Sequence, residues 1–246
     1  MSKKYFSELV TKIKSRVSPP QRREPRFRML PLHNVILELE THDRREEVAV
    51  GNISTNGIGI LWSQGSVPPH IVLKSRLKVS GEEFSVTLEA RHQTRELLGC
   101  QFVDASEKLT EAIRRFLQVE LRAIELSRIT DSDHLQDKRG RANLYSDKTE
   151  NEIYYITSHG KIVYFHLIFL GLYVEGGSRK HLMTARISSS SKNMAVLGKN
   201  PSAYLDSDET ISNETVQLGW RLVESADCLE PGVRKELQSL LVMGKG

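Results

Sequence analysis

Two short strings in this sequence carry the side chains best suited to bind a phosphorylated ligand. The first, Arg22-Arg23-Glu24-Pro25-Arg26, supplies guanidinium groups, and the second, Asn52-Ile53-Ser54-Thr55-Asn56-Gly57, supplies an amide, a hydroxyl and a glycine. A guanidinium grips phosphate through paired hydrogen bonds and can also stack on a purine face. The amide of Asn52 and the hydroxyl of Ser54 suit the edge of a guanine and a neighbouring phosphate oxygen. A glycine such as Gly57 lets the backbone turn tightly or approach a ligand closely.

Neither string is specific by itself. Two arginines four residues apart are common in a basic chain, and a run that contains Asn56-Gly57 is also an ordinary hairpin turn. The two strings occur here in order, with one apolar, strand-like run between them. That combination favours a binding site over two unrelated surface segments.

The charge of the chain is concentrated at its N-terminus. The 246 residues carry a net charge of +4, but residues 1–28 hold nine Lys or Arg against Glu8 and Glu24, a net charge of +7. The rest of the chain therefore sums to −3. An anionic ligand or surface is expected to bind at the N-terminal arm that carries the first string.

Composition and spacing argue against several other classes of protein. No run approaches the roughly 20 apolar residues that span a bilayer, and the N-terminus lacks the apolar core of a signal peptide, so we expect a cytoplasmic protein. The two cysteines, Cys100 and Cys228, have no redox or zinc spacing, and the eight histidines form no close pair of metal ligands. We therefore expect no metal and no cofactor.

Hydrophobic periodicity places most of the first half of the chain in short strands. Six segments alternate between apolar and polar residues or are bounded by turn signals, which is typical of a small closed or nearly closed antiparallel β-barrel. They are Asn34–Glu40, Glu47–Ile53, Gly57–Trp62, Ile71–Ser80, Phe84–His92 and Leu97–Val103. Ser106 is then a candidate N-cap for a helix with one apolar stripe from Leu109 to Ile124.

A separate helix is predicted before the first string. Apolar residues recur at helical spacing from Tyr5 to Val17 and end before Pro19-Pro20. One interpretation is that this helix packs on its own domain or on a second copy of the chain. The alternative is that its lysines meet anionic lipid or nucleic acid.

Together these features resemble the PilZ domain family. The two strings match the family's Arg-x-x-x-Arg and Asn-x-Ser-x-x-Gly motifs in the proper order, and Leu98 to Asp104 with the helix after it looks like the closing strand and capping helix of a PilZ barrel. The resemblance covers about residues 20 to 120. Many relatives have Asp where this chain has Asn52, and the family pattern includes both.

The resemblance implies a binding protein for the bacterial second messenger cyclic di-GMP, and not an enzyme. It implies that Arg22 and Arg26 hold phosphates and stack on guanines, that Asn52 and Ser54 bind base edges, and that Arg23 and Gly57 belong to the same site. The arm that carries the arginines would close over the ligand and pass the signal on as a change of conformation or interaction. The alternatives are an adaptor of the same fold that no longer binds nucleotide and a ligand-regulated DNA-binding protein.

The second half of the chain looks like a degenerate copy of the first. Residues 128–145 are polar, charged and aperiodic, which is typical of a linker, and Leu218–Glu224 can be aligned with Leu98–Asp104 at an offset of 120. Against Asn52 and Ser54, the copy offers His166 and Ile168, so it is expected to have lost nucleotide binding. An unrelated α+β domain is the alternative.

The expected fold is therefore mainly β, with two tandem small antiparallel barrels of PilZ-like, split-barrel type, each followed by a C-terminal helix, and an N-terminal helix in addition. The predicted divisions are a helix and arm over 1–20, a PilZ domain over 21–127, a linker over 128–145 and a degenerate PilZ-like domain over 146–246. We expect a protein partner in addition to cyclic di-GMP. Homo-oligomers and nucleic acid stay open as further partners.

Overall fold

The computed structural model of the chain describes residues 27–28, 35–40, 45–63, 65–130, 136–147, 151–187 and 205–243, with residues 27, 28, 136 and 243 described by their backbone alone. The predicted N-terminal helix lies outside these residues. Within them the protein is mainly β, as the sequence predicts, with two antiparallel sheets and four helices.

The first sheet contains all six predicted strand segments. Its strands pair in the order β1-β4-β5-β8-β7-β6-β2-β3, and the predicted strand Glu47–Ile53 is divided at Ala49 into β3 and β4. The strands are β1 (Phe27–Arg28), β2 (Val35–Glu40), β3 (Arg45–Val48), β4 (Val50–Ser54), β5 (Gly57–Leu61), β6 (Val72–Val79), β7 (Glu82–Gln93) and β8 (Leu97–Val103).

This sheet does not form the closed barrel that was one expectation from the sequence. Among the described strands, the order of pairing runs from β1 to β3 without returning to its start. Its two end regions nevertheless belong to one segment of chain, since only Ala49 separates β3 from β4. The hydrogen-bonded sheet is therefore open, and the chain connects its two end regions directly through Ala49.

Alternation along the central strands separates a core face from an outer face. Ile53, Ile58 and Ile60 have no exposed surface and form the apolar side of β4 and β5. Because successive side chains of a strand point to opposite faces, Asn52 and Gly59 lie on the other side. Asn52, the first residue of the second string, therefore lies on the outer face of the sheet.

Two helices follow the first sheet where the sequence predicts one. Helix α1 (Glu107–Phe116) begins after Ser106, whose hydroxyl accepts a hydrogen bond from Leu109 N at 3.2 Å, so the predicted N-cap is confirmed. A second helix, α2 (Gln118–Glu125), follows after a break at Leu117, which has φ −89° and ψ 11°. The predicted apolar stripe to Ile124 is thus divided between two short helices.

The second sheet pairs in the order β10-β11-β12-β13-β14-β15-β16, with β9 paired to β11 beside it. Strands β9, β10 and β11 overlap the segment 128–145 that we predicted as a linker. The structure differs from that prediction because these strands are short and lack the regular apolar alternation by which strands are recognised. The strands are β9 (Ser127–Ile129), β10 (Gln136–Asp137), β11 (Gly140–Ser146), β12 (Glu152–Ser158), β13 (Lys161–Phe169), β14 (Leu172–Gly177), β15 (Lys180–Ile187) and β16 (Leu205–Ser207).

One face of the second sheet is covered by two helices, α3 (Asn213–Ser225) and α4 (Pro231–Met243). The core between them includes Phe165 and Leu167 of the sheet with Leu222 and Leu237 of the helices, all fully buried. The proposed repeat of Leu98–Asp104 is wrong in this region, because residues 218–224 lie inside helix α3, whereas residues 97–103 form a strand.

The described chain divides into two compact units. The first contains β1, residues 36–77 and residues 85–105, and the second contains Val35, residues 78–84 and residues 106–243. Helices α1 and α2, which we expected to complete the first domain, therefore group with the second unit. The predicted division at residues 128–145 differs from this grouping.

Candidate functional site

Strand β4 presents Asn52 and Ser54 of the second string on one side of the sheet. The fully buried Ile53 separates them, and its side chain points to the core, so the two polar side chains point to the outer face. Arg22, Arg23 and Arg26 of the first string lie outside the described residues. The strand that begins directly after Arg26 is β1, and its register pairs Phe27 with Ile53 and the next residue with Asn52.

Ser54 and Gly57 are the two ends of the turn between β4 and β5. The Ser54 hydroxyl donates a hydrogen bond to the carbonyl oxygen of Gly57 at 3.3 Å, and Ser54 is buried. This bond uses the one hydrogen of the hydroxyl and leaves the oxygen able to accept. Ser54 is thus held as a hydrogen-bond acceptor by its own turn.

Gly57 is required by a close approach between strands. A Cβ at Gly57 would lie 2.3 Å from the carbonyl oxygen of Cys100 on β8, which is closer than real Cβ atoms come. Gly57 pairs with Gln101 in the sheet, so this crowding is between backbones of neighbouring strands. The glycine therefore has a structural reason that is independent of a ligand.

Asn52 has a hydrogen-bonding group without a partner. Its Oδ1 is buried and accepts no hydrogen bond within the described part of the chain. The amide group lies above Gly59, where a Cβ would be 2.7 Å from both Oδ1 and Nδ2. A buried amide oxygen without a partner is costly, and a ligand that donates to it after a small rotation of the side chain would recover that cost.

The outer face also carries a carboxylate, whose charge is compensated. Glu89 of β7 is 2.6 Å from His70 Nδ1 and 2.8 Å from Arg91 Nη2. Register places Glu89 opposite Gln101, and Gln101 opposite Gly57. Because its charge is compensated, Glu89 does not repel an anionic ligand as an unpaired carboxylate at this position would.

The positions of the second sheet that align with the Asn52 and Ser54 pair hold a different chemistry. His166 is 3% exposed, its Nε2 is 2.6 Å from Glu152 Oε1, and its ring stacks on Tyr154 with centroids 4.8 Å apart. Ile168 is 1% exposed. Ile168 has no polar group and His166 Nε2 is already paired with Glu152, so these positions lack the amide and the hydroxyl that β4 carries.

A network of tyrosines surrounds a second carboxylate in this sheet. Glu175 accepts hydrogen bonds from Tyr164 at 2.9 Å, from Tyr173 at 3.1 Å and from Lys180 at 2.5 Å. Burial raises the pKa of both tyrosines above the ordinary value, so they stay protonated donors. Burial alone would also raise the pKa of Glu175, but the bonds from Lys180 and the tyrosines outweigh it and hold that pKa below its usual value.

A solvent-facing ion pair adjoins this network. Arg139 forms two side-chain hydrogen bonds to Asp137, at 2.9 and 2.8 Å, and its guanidinium lies 4.2 Å from the centre of the Tyr164 ring. The bond to Arg139 lowers the pKa of Asp137. Each of these polar groups is satisfied by its neighbours, which is the arrangement of a structural network.

The described ranges contain neither a cluster of metal ligands nor a membrane-spanning helix. No group of three or more His, Cys, Asp or Glu side chains there could hold a metal ion. Among the same residues, no helix has the length and apolar character needed to cross a bilayer.

Comparison with known families identifies the first part of the chain. The PilZ domain model matches residues 20–118, which confirms the resemblance seen in the sequence over that part. The match includes both strings, Arg22 to Arg26 and Asn52 to Gly57. None of the curated proteins matches the chain significantly.

Several solved structures are similar to parts of the chain. MrkH of K. pneumonia in complex with c-di-GMP has 18% identity and a TM-score of 0.36, and the match covers 41% of this chain and 52% of MrkH, so it spans about half of that protein. The PilZ domain of YcgR from Escherichia coli with c-di-GMP has 16% identity and a TM-score of 0.33, covering 43% and 95%. PlzA of Borreliella burgdorferi with c-di-GMP has 15% identity and a TM-score of 0.31, covering 73% and 81%.

Proposed function

We propose that the PilZ domain of residues 20–118 is a receptor for cyclic di-GMP and that the chain is a binding effector, not an enzyme. The observation that carries this proposal is the display of Asn52 and Ser54 on the outer face of β4, with strand β1 paired beside them. Arg26 directly precedes Phe27 in the sequence, and Phe27, the first residue of β1, pairs with Ile53 of the second string. The two motifs are thus joined through adjacent strands.

The arginines supply the charge that the ligand needs. Cyclic di-GMP carries two phosphates and two guanines, and Arg22 and Arg26 can grip the phosphates bidentately while their planar groups stack on the bases. Arg23 adds a third guanidinium to the same segment. On the same face of the sheet, the charge of Arg91 is already paired with the Glu89 carboxylate.

Asn52 and Ser54 recognise the guanine edge. Guanine donates from N1 and its exocyclic amine and accepts at O6, so it offers hydrogens to the unpartnered Oδ1 of Asn52 and to the Ser54 oxygen. Ser54 can accept without giving up its bond to Gly57 O. This assignment favours the base over a phosphate oxygen for Ser54, since a phosphate would require the hydroxyl hydrogen that Gly57 already holds.

The second unit is the part through which binding is transmitted. Its positions His166 and Ile168 lack the amide and hydroxyl of β4, and His166 is paired with Glu152 instead, which supports a degenerate PilZ-like domain that does not bind the nucleotide. A protein partner, and not a second nucleotide, is the ligand we assign to it. Ligand binding to the first unit changes the population of conformations that this partner meets.

Equilibrium binding of fluorescent cyclic di-GMP to the full chain tests this function. Anisotropy should rise on binding and fall when unlabelled cyclic di-GMP, but not GMP, is added in excess. An Arg22→Ala/Arg26→Ala variant should bind at least about 100-fold more weakly, because it loses charge-assisted hydrogen bonds to two phosphates.

A charge-matched control separates specific contacts from general attraction. Arg45→Ala/Arg95→Ala removes the same charge from exposed positions of the first sheet and should bind within about twofold of the parent chain. Equal weakening in both double variants would contradict the assignment of the first string to the site. A parent chain that does not bind the probe would contradict the function itself.

A further inference from the structure

A continuous row of paired residues crosses the outer face of the first sheet through Asn52. The pairs are Arg28 with Asn52, Asn52 with Gly59, Gly59 with Gly99 and Gly99 with His92, on strands β1, β4, β5, β8 and β7. Residues paired across neighbouring strands lie side by side on one face. This glycine row, Asn52-Gly59-Gly99-His92, therefore links the predicted site to a histidine that sequence reasoning did not single out.

A bulge in β7 is what brings His92 to this face. The pairing of β7 with β8 shifts between Ala90 and His92, which leaves Arg91 as the extra residue. Ala90 is 1% exposed and faces the core, so regular alternation would also send residue 92 to the core. The bulge reverses that alternation and aims the imidazole outward.

The two glycines leave room for side chains to lie flat on the sheet. A Cβ at Gly99 would be only 2.1 Å from Cε1, 2.5 Å from Nε2 and 2.6 Å from Nδ1 of His92, so the imidazole covers Gly99. The amide of Asn52 covers Gly59 in the same way. Because β5 and β8 are neighbours, the amide and the ring rest about one strand spacing, roughly 5 Å, apart.

His92 is exposed although its ring covers the buried Gly99. Within the described residues it forms no hydrogen bond, ion pair or ring contact. An exposed ring that rests on a glycine beside an amide is arranged like the aromatic platforms on which proteins stack nucleobases.

We propose that His92 is a further ligand-binding residue and that its imidazole stacks on a guanine of the cyclic di-GMP whose edge is bound by Asn52. This inference rests on the proposed function and adds a specificity-determining contact to it. At a separation of about one strand spacing, and with the small rotation that exposes Asn52 Oδ1, a single purine can meet the amide with its edge and cover the imidazole with its face. The glycine row then serves as the floor of the base pocket.

Three substitutions of His92 separate stacking from hydrogen bonding in the anisotropy measurement. His92→Ala should weaken binding of cyclic di-GMP about fivefold to tenfold, the low end of what one base stack contributes. His92→Phe should stay within about twofold of the parent because it keeps a flat ring, whereas His92→Gln should resemble the alanine variant. His159→Ala, which removes an exposed histidine from a turn of the second unit, is the matched control and should have no effect.

The ring itself can be observed directly. In a ¹H–¹³C spectrum of histidine-labelled chain, the Cε1–H signal of His92, identified by its absence from the His92→Phe variant, should move upfield on saturation because a stacked guanine shields it. A parent chain that binds, with an unmoved His92 signal and an unchanged affinity in His92→Ala, would overturn this inference and leave the proposed function intact. A parent chain that does not bind would overturn both.

Discussion

Arg221→Ala should strongly destabilise the second unit, because it breaks a buried ion pair between helices α2 and α3. Arg221 bonds Glu120 through Nε at 2.5 Å and Nη2 at 2.8 Å, and Nη2 also donates to the carbonyl of Phe116 at 2.6 Å. The side chains are 12% and 3% exposed. The variant leaves the Glu120 carboxylate buried without these bonds.

The expected loss is about 3 kcal/mol in the free energy of unfolding, since removal of one partner from a buried pair is far more costly than the pair's net contribution. A nearby exposed pair supplies the control. Arg122 Nη1 is 3.1 Å from Glu125 Oε2, with side chains 42% and 56% exposed, so Arg122→Ala should cost no more than about 0.5 kcal/mol. Replacing both buried partners, as Glu120→Leu/Arg221→Met, should recover much of the loss.

Urea unfolding followed by tryptophan fluorescence measures these differences. The chain has two tryptophans, and a Trp62→Phe background leaves only Trp220, which precedes Arg221 on helix α3. The transition reported by Trp220 should move to lower urea in Arg221→Ala and barely move in Arg122→Ala. A loss below about 1 kcal/mol for Arg221→Ala, or the same loss for both variants, would refute the reasoning from burial.

Three further changes test the candidate site and the second sheet. Gly57→Ala should lower the midpoint of thermal unfolding by an amount equivalent to about 1–3 kcal/mol, because its Cβ would meet the Cys100 carbonyl at 2.3 Å; an unchanged midpoint would contradict that crowding. Asn52→Ala should bind cyclic di-GMP about tenfold more weakly in the anisotropy assay with no loss of thermal stability, since Oδ1 has no partner to lose in the described chain, and a clear drop in stability would argue against this. The pKa of Glu175 is lowered, so the contribution of its carboxylate to stability is present above the ordinary pKa of about 4.5 and is lost as the pH falls through the lowered value. Lys180→Met should therefore lower the free energy of unfolding at pH 7 and much less at pH 3. Equal losses at both pH values would count against the contact between Lys180 and Glu175.

Strand positions were predictable in the first half because the chain has strong local signals there. Alternation places Ile58 and Ile60 on one face and Gly57 and Gly59 on the other, and the structure has the same arrangement. Ser106 likewise caps the helix that its position predicts. These features depend on neighbouring residues, which a sequence displays directly.

The second half was harder to predict because its signals conflict. The run Leu218–Glu224 is apolar enough for a strand, but Ser212 caps the segment through Thr215 N at 3.2 Å, and buried Val216, Gly219 and Leu222 recur at helical spacing. That cap and spacing were present in the sequence as evidence of a helix. A short apolar run alone does not distinguish the two structures.

The outer-face position of His92 could not be predicted from the sequence. Alternation from Ala90 assigns it to the core, and only the bulge at Arg91 reverses the face. A bulge depends on pairing with a distant strand, here Gly99 of β8, and leaves no local signature. The contact between the imidazole and Gly99 is for the same reason a property of the folded sheet.

Calorimetric titration of the purified chain with cyclic di-GMP tests the central claim most directly. The account predicts a saturable heat for the parent chain, and a heat that is lost or shifted at least about 100-fold in concentration for Arg22→Ala/Arg26→Ala. The Arg45→Ala/Arg95→Ala control should titrate like the parent. A parent chain that gives no binding heat at any temperature tested and does not displace fluorescent ligand would contradict the claim that this PilZ domain is a cyclic di-GMP receptor.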